Sequence, residues 1–274
     1  TATTGGITDS SNLSATGNVT LNDVATAGIT LGTLEADANV ILTAAGNTAI
    51  TNDAALALQG TVTGTLAATA TTGDITDSDA LAVSGASVFT LGADGTNITL
   101  DSAANAFSGA VTLKAGSSGG QTFGNIVFVD SGAIDFDSAA SADGDLFLDG
   151  GTDNTVGGTL AVTATTGGIT DSATIAVTGD LTLNDVATAG ITLDTLEADA
   201  NVILTAAGNT AITNDAALAL QGAVTGTLAA TASTGGITDS SNLSATGNVT
   251  LNDVATAGIT LDTLEADANV IITA

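Results

Sequence analysis

Residues 18 to 36, NVTLNDVATAGITLGTLEA, hold three short stretches, NVTL, GITL and TLEA, in which apolar and polar residues alternate. The alternation sends Val19, Leu21, Ile29, Leu31 and Leu34 to one side and Thr20, Thr30 and Glu35 to the other, the period-2 signature of strands with one buried face. Gly and Asn between the stretches are the residue types that tight corners use. Helix is the rival for LEADANVILTAA and NDAALALQG, because Ala, Leu and Glu favour it. Those segments are short, are interrupted by Gly, Asn and Thr, and recur too closely to hold the paired helices of helical repeats. The pattern therefore predicts strands.

The strands recur. Residues 1 to 44 and 231 to 274 differ only at Thr3/Ser233, Gly32/Asp262 and Leu42/Ile272, and residues 19 to 68 match 181 to 230 except at Val19/Leu181, Gly32/Asp194 and Thr61/Ala223. The phrase T-A-[TS]-T-G-[GD]-I-T-D-S begins at residues 1, 69, 163 and 231, in steps of 68, 94 and 68. A shorter period shows in the dipeptide Ile-Thr at Ile7, Ile29, Ile50, Ile75 and Ile98, and again at Ile169, Ile191, Ile212, Ile237 and Ile259. A second ladder of Asn or Asp before a strand, pairing Asn18 with Asn39, Asp180 with Asn201 and Asn248 with Asn269, keeps one interval in all three pairs. A repeat of roughly 21 to 25 residues with three stretches per turn predicts a right-handed parallel β-helix (a β-solenoid) of about three short strands per coil. About a dozen such coils, stacked about 4.7 to 4.9 Å apart, would span on the order of 55 to 60 Å.

One continuous solenoid is expected over 1–274, with regular coils in 1–86 and 159–274 and divergent Phe- and Gly-rich coils carrying longer loops in 87–158. Within 110–158 the pattern does not place the strands. Both ends fall inside a repeat, which is the expectation for a fragment of a longer array or for open ends that stack on neighbouring copies along a fibre axis.

Composition narrows what such a core can contain. Trp, Tyr, Met, Cys, His and Pro are absent, and the six Phe (Phe89, Phe107, Phe123, Phe128, Phe136, Phe147) all lie mid-chain. Elsewhere Val, Leu, Ile and Ala must fill a thin interior. Twenty-nine acidic residues stand against one base, Lys114, for a net charge of −28. Without clustered Lys and Arg, neither nucleic acid nor an anionic membrane surface is a partner. No apolar run approaches the length that a membrane helix needs, and no Cys is present to form a disulfide framework.

Candidate chemistry rests on the acids. Asp143, Asp145, Asp149 and Asp153 form the densest group, in ADGDLFLDGGTDN, and are the candidates for calcium, a hard cation that takes carboxylate oxygens. Their spacing matches neither an EF-hand loop nor the nonapeptide of calcium-dependent β-rolls. Solvated loop charge is the plainer reading. No catalytic residue is assigned, because no His, Cys, Arg or Tyr is present to act as nucleophile partner, ligand or oxyanion clamp. The Asn ladder reads as coil-to-coil hydrogen bonding. The threonines after each Ile (Thr8, Thr30, Thr51, Thr76, Thr99) would make a flat row like an ice-binding face, but the residue two before each varies through Gly6, Gly28, Ala49 and Asp74. The β-propensity of Thr accounts for them more simply.

The phrases NAFSGAVTL (105 to 113), GTLAVTATTGGITDS (158 to 172) and SATGNVTLNDV (14 to 24) resemble the repeats of filamentous haemagglutinin-like exoproteins and related giant bacterial surface adhesins. The resemblance covers essentially the whole chain and is specific in rhythm more than in residues. It implies a right-handed β-helical rod, exported to the cell surface or medium of a bacterium and used for adhesion, biofilm or as a stalk. Its partners would be neighbouring coils or copies along the fibre and a host or matrix surface. The expected function is thus a structural or adhesive extracellular fibre segment, a spacer, adhesin shaft or matrix filament, and not an enzyme. A carbohydrate-active β-helix enzyme and an ice-binding solenoid are the alternatives.

Overall fold

A computed structural model describes residues 1–116, 121–150 and 154–274. The chain divides into two compact units, Thr1–Ser131 with Ala139–Asp153, and Gly132–Ser138 with Asn154–Ala274. Each is a parallel β-solenoid, with no helix among the described residues. LEADANVILTAA, the strongest helical rival, is divided between the strands Ile29–Ala36 and Val40–Ala44. No helix among the described residues is long and apolar enough to cross a membrane.

In the first unit, one sheet stacks Val19–Asp23, Val40–Ala44, Leu56–Val62, Ile75–Val83, Ile98–Leu100 and Ile126–Asp130 in that order. The other begins with Ile7–Thr8 and Leu13–Ala15 side by side on Ile29–Ala36, then adds Thr48–Asn52, Leu66–Ala70, Ser87–Leu91, Val111–Ala115 and Asp145–Asp149. Successive strands pass from one sheet to the other, so each crossing is half a coil.

The second unit repeats this plan. One of its sheets runs Leu160–Ala164, Leu181–Asp185, Asn201–Ala206, Leu218–Val224 and Ile237–Ala245. The other runs from Ile169–Asp171 and Ile175–Val177 through Ile191–Ala198, Thr210–Asn214, Leu228–Ala232 and Val249–Asp253 to Val270–Thr273.

The three alternating stretches of residues 18 to 36 are all present, as Val19–Asp23 and the two halves of Ile29–Ala36, which an irregularity between Leu31 and Leu34 separates. That third stretch is not present in every coil. Val40 pairs with Leu58 and Thr48 with Leu66, closing short coils of two strands, whereas the coil that brings Val111 onto Leu146 is nearly twice as long. Coil length thus varies more widely than the Ile-Thr spacing suggests, and the longest coils carry the large side chains. Phe107 meets Phe89 edge-on at 5.9 Å and stacks on Phe128 at 5.4 Å, geometries that aromatic pairs favour.

Inside and outside follow the alternation. Val19, Leu21, Ile29, Leu31 and Leu34 are all buried, while Thr20 and Thr30 are exposed and Glu35 is half-buried. The Ile-Thr ladder is different. Ile7 does pair with Ile29, and Ile75 with Ile98, but Ile29 faces Thr48, and Ile50 lies opposite Leu31. Ile75 also stands on the other sheet from Ile50. From Ile7 to Ile75 the chain crosses seven half-coils, so the step between copies of the repeated phrase lands on the opposite sheet. The second unit shows the same thing: LTLND at Leu181–Asp185 and VTLND at Val249–Asp253 occupy opposite sheets. Both sheets offer one kind of inward face, so one local sequence suits either.

Candidate functional site

The Thr-Asp-Ser phrase places a carboxylate at the rim of a strand, where the next coil presents unpaired amides. Asp9 accepts from the backbone N–H of Gly32 at 3.0 Å and of Thr33 at 2.7 Å, and from the Thr33 hydroxyl at 3.0 Å. Asp171 does the same to Asp194 and Thr195, and Asp239 to Asp262 and Thr263. Asp77 takes the amides of Asp101 and Ser102 and the side-chain amide of Asn105. These acids clamp one coil to the next.

Hydrogen bonds to the charged form favour ionisation. The amides of Gly32 and Thr33 hold the Asp9 carboxyl below the ordinary range. At Asp239 partial burial opposes ionisation, but the amides of Asp262 and Thr263 outweigh it and the net shift is again downward. A depressed folded value means that the clamps contribute stability above the unfolded carboxyl value, near 3.8, and lose it as pH falls through the folded values. The advantage of the native chain over D9N/D239N in thermal midpoint is therefore expected to be full at pH 6 and to shrink toward zero by pH 2. An advantage unchanged across that range would show that the clamps do not act as charged acceptors.

The Asn ladder keeps its register. Asn18 Oδ1 accepts from the Asn39 amide at 3.3 Å, Asp180 Oδ1 from Asn201 at 3.2 Å, and Asn248 Oδ1 from Asn269 at 3.2 Å. Each side chain supports the backbone of the coil above. The threonines after each Ile do not make one row: Thr8 meets Thr30 and Thr76 meets Thr99, but Thr30 faces Ala49. Thr51, Thr69 and Thr90 do align, and the row then ends at Lys114.

The calcium candidates that lie among the described residues do not share a site. Asp145 turns inward and accepts from the Ser141 and Ala142 amides and the Ser141 hydroxyl. Burial raises its carboxyl, yet those donors more than compensate and the net shift is downward. Asp149 pairs with Lys114, Asp143 is exposed, and Asp153 lies outside the described residues. Among the described residues no three acidic side chains gather as a metal centre would require.

Two half-open clefts, of about 250 and 220 Å³, recur at matching positions of the duplicated sequence. Glu35, Thr51 and Asp53 line the first, beside Asn12, which bonds Glu35; Glu197, Thr213 and Asp215 line the second, beside Asp194. Hydroxyls and carboxylates line both clefts, and neither is lined by a basic side chain.

Sequence reasoning passed over a set of buried polar side chains. Asn52 and Asn214 are fully buried, and Asp23, Asp185 and Asp253 nearly so. The signal was available: the alternation that turns Val19 and Leu21 inward also turns Asp23 inward, and the one that buries Ile50 buries Asn52.

A family of repeats of unknown function (DUF5649) matches residues 45–114, 124–207 and 207–273. No curated protein and no solved structure matches the chain.

Proposed function

The chain belongs to that repeat family, and we propose that it serves as a structural or adhesive fibre segment at a bacterial cell surface, like the filamentous haemagglutinin-like exoproteins its phrases resemble. One observation carries this reading: two sets of polar side chains that recur from copy to copy are engaged between coils. Asp9, Asp171 and Asp239 clamp backbone amides, and Asn18, Asp180 and Asn248 do likewise at the corner. The carboxylates of Asp9, Asp171 and Asp239 are poor general acids or bases, because both oxygens of each already accept hydrogen bonds. An acidic surface with net charge −28 also keeps long arrays apart in solution.

Electron microscopy of the native assembly tests the proposal. Unbranched fibres with an axial repeat of about 4.8 Å are the expected result. Compact discrete particles, or sustained product release when the chain is incubated with acidic and neutral polysaccharides, would overturn it.

A further inference from the structure

The acids are not spread evenly around the second unit. Where the chain leaves the sheet of Leu181–Asp185, the residues Val186, Ala207, Thr225 and Thr246 stack in one column, each donating its backbone N–H to the coil before. Where it leaves the sheet of Thr210–Asn214, the matching column is Asp199, Asp215, Ser233 and Val254. The first corner is flanked by two outward rows, Asn184, Thr205, Ala223 and Ser244 on one sheet and Thr192, Ala211, Ala229 and Thr250 on the other. None of these flanking positions is charged, and neither is any residue of that corner. The first unit repeats the arrangement: Val24, Ala45, Thr63 and Ser84 form its uncharged column, and Asp37 and Asp53 stand at the other corner.

Two copies of a chain with net charge −28 repel wherever their acids face each other. They can approach closely only along a strip without acids. The strip of the second unit also has apolar surface to bury. Val186 is 54% exposed on it, and beside that valine a half-open cleft of about 280 Å³ is walled by Ala206, Ala207, Ala223, Thr205 and Thr225. Thr205, Ala223 and Thr225 are exposed, so this wall faces solvent. The one acid of the cleft, Asp185, is 1% exposed and takes the Gly190 amide.

We infer that this corner is where a second copy of the chain packs side by side, the Val186 side chain of each copy lying over the alanine wall of the other's cleft. A valine and a cleft that adjoin on one surface suit a two-fold contact, in which the same patch must serve both partners. Charge selects the occupant. A basic partner would be drawn to Asp199 and Asp215 at the other corner, whereas the uncharged strip is the place that tolerates a partner as acidic as the chain itself. The pairing is lateral and separate from the stacking of coils, so it does not depend on the fibre reading. Val254, in the third copy of the phrase LNDVATAG, is the internal contrast: it is 59% exposed but stands in the column of Asp199 and Asp215.

Sedimentation velocity of the whole chain over a range of protein and salt concentrations tests the inference. Dimers are expected to form more readily as salt rises, because shortening the screening length from about 30 Å at about 10 mM to about 8 Å at about 150 mM weakens the repulsion between acids outside the contact. A contact held by ion pairs would respond in the opposite sense. V186D should weaken dimerisation about tenfold or more, since it sets two carboxylates against each other across the two-fold contact. Circular dichroism should stay native, because Val186 is exposed. V254D should leave dimerisation unchanged. A chain that is monomeric at every concentration and salt, dimers as stable in V186D as in the native chain, or an equal loss in V254D would each overturn the inference.

Discussion

Replacing Asn52 by Asp is expected to destabilise the first unit by on the order of 3 kcal/mol or more, although the two side chains have nearly the same shape. Asn52 is fully buried. Its Oδ1 accepts from the Ala36 amide at 2.8 Å, and its Nδ2 donates to the carbonyls of Ala36 at 3.1 Å and Ala55 at 2.7 Å. Asp turns the two donated bonds into contacts between a carboxylate and two carbonyl oxygens in a fully buried site. The loss should lessen as pH falls, because a protonated carboxyl can donate to one of them. Asn214 makes the same three bonds, at 2.7, 3.1 and 2.7 Å, so N214D should behave alike in the second unit. N18D supplies the control, since Asp180 already stands at the matching position and accepts from Asn201. Urea titration should place N18D within about 0.5 kcal/mol of the native chain. An N52D midpoint equal to that of N18D would mean that the buried amide is not needed.

These buried amides mark how far the sequence could be read. Strand identity and the inward face were legible because a side-chain period of 2 is local: Val19, Leu21, Ile29, Leu31 and Leu34 needed no knowledge of their neighbours. Register was not local. Thr48 stacks on Ile29 and Leu56 on Ile75 because the corners between them differ in length, and corner length is not encoded in the strands it separates. Hence Ile29 and Ile50, alike in sequence, are two positions out of step, and LTLND and VTLND lie on opposite sheets of one unit. The Asn18 and Asn39 pair could be read correctly because its spacing in the chain is also the offset of the strands that follow, Val19 on Val40.

The candidate site was harder to see for a different reason. Acidic density drew attention to Asp143, Asp145, Asp149 and Asp153, but density along the chain does not measure what surrounds a carboxylate. Asp145 and Asp149 are satisfied by donors close in the fold, whereas Asp23, the last residue of the strand Val19–Asp23, has an oxygen left unmet. Burial without a partner depends on the coils above and below. It becomes visible only when Ala44 is known to be the neighbour.

A second large effect is expected at Gly60. This residue lies opposite Leu42 in the coil before it, and in the coil after it the pairing jumps from Leu58–Asp77 to Gly60–Leu81. Gly60 is thus the point where a straight two-strand coil is overlaid by one that has gained extra length, and the backbone must bend there. Its φ of +113° is one that side chains rarely adopt, and a Cβ would stand 2.0 Å from the Leu42 carbonyl oxygen. Neither problem can be relieved by rotating a side chain, because the obstacle is backbone already committed to the ladder. G60A should therefore cost about 3 kcal/mol or more and expose the amides of Leu56–Val62 to hydrogen exchange. Gly222 has the same geometry, with a φ of +111° and the Leu204 oxygen at 2.0 Å. Gly32 does not: a Cβ there meets nothing within 4 Å, and Asp194 and Asp262 stand at the matching positions. G32D should change stability by less than about 0.5 kcal/mol. If G60A proved as mild as G32D, the bend would have to be absorbed elsewhere in the strand, and the tight approach of the two backbones would not be what fixes the register of the longer coil.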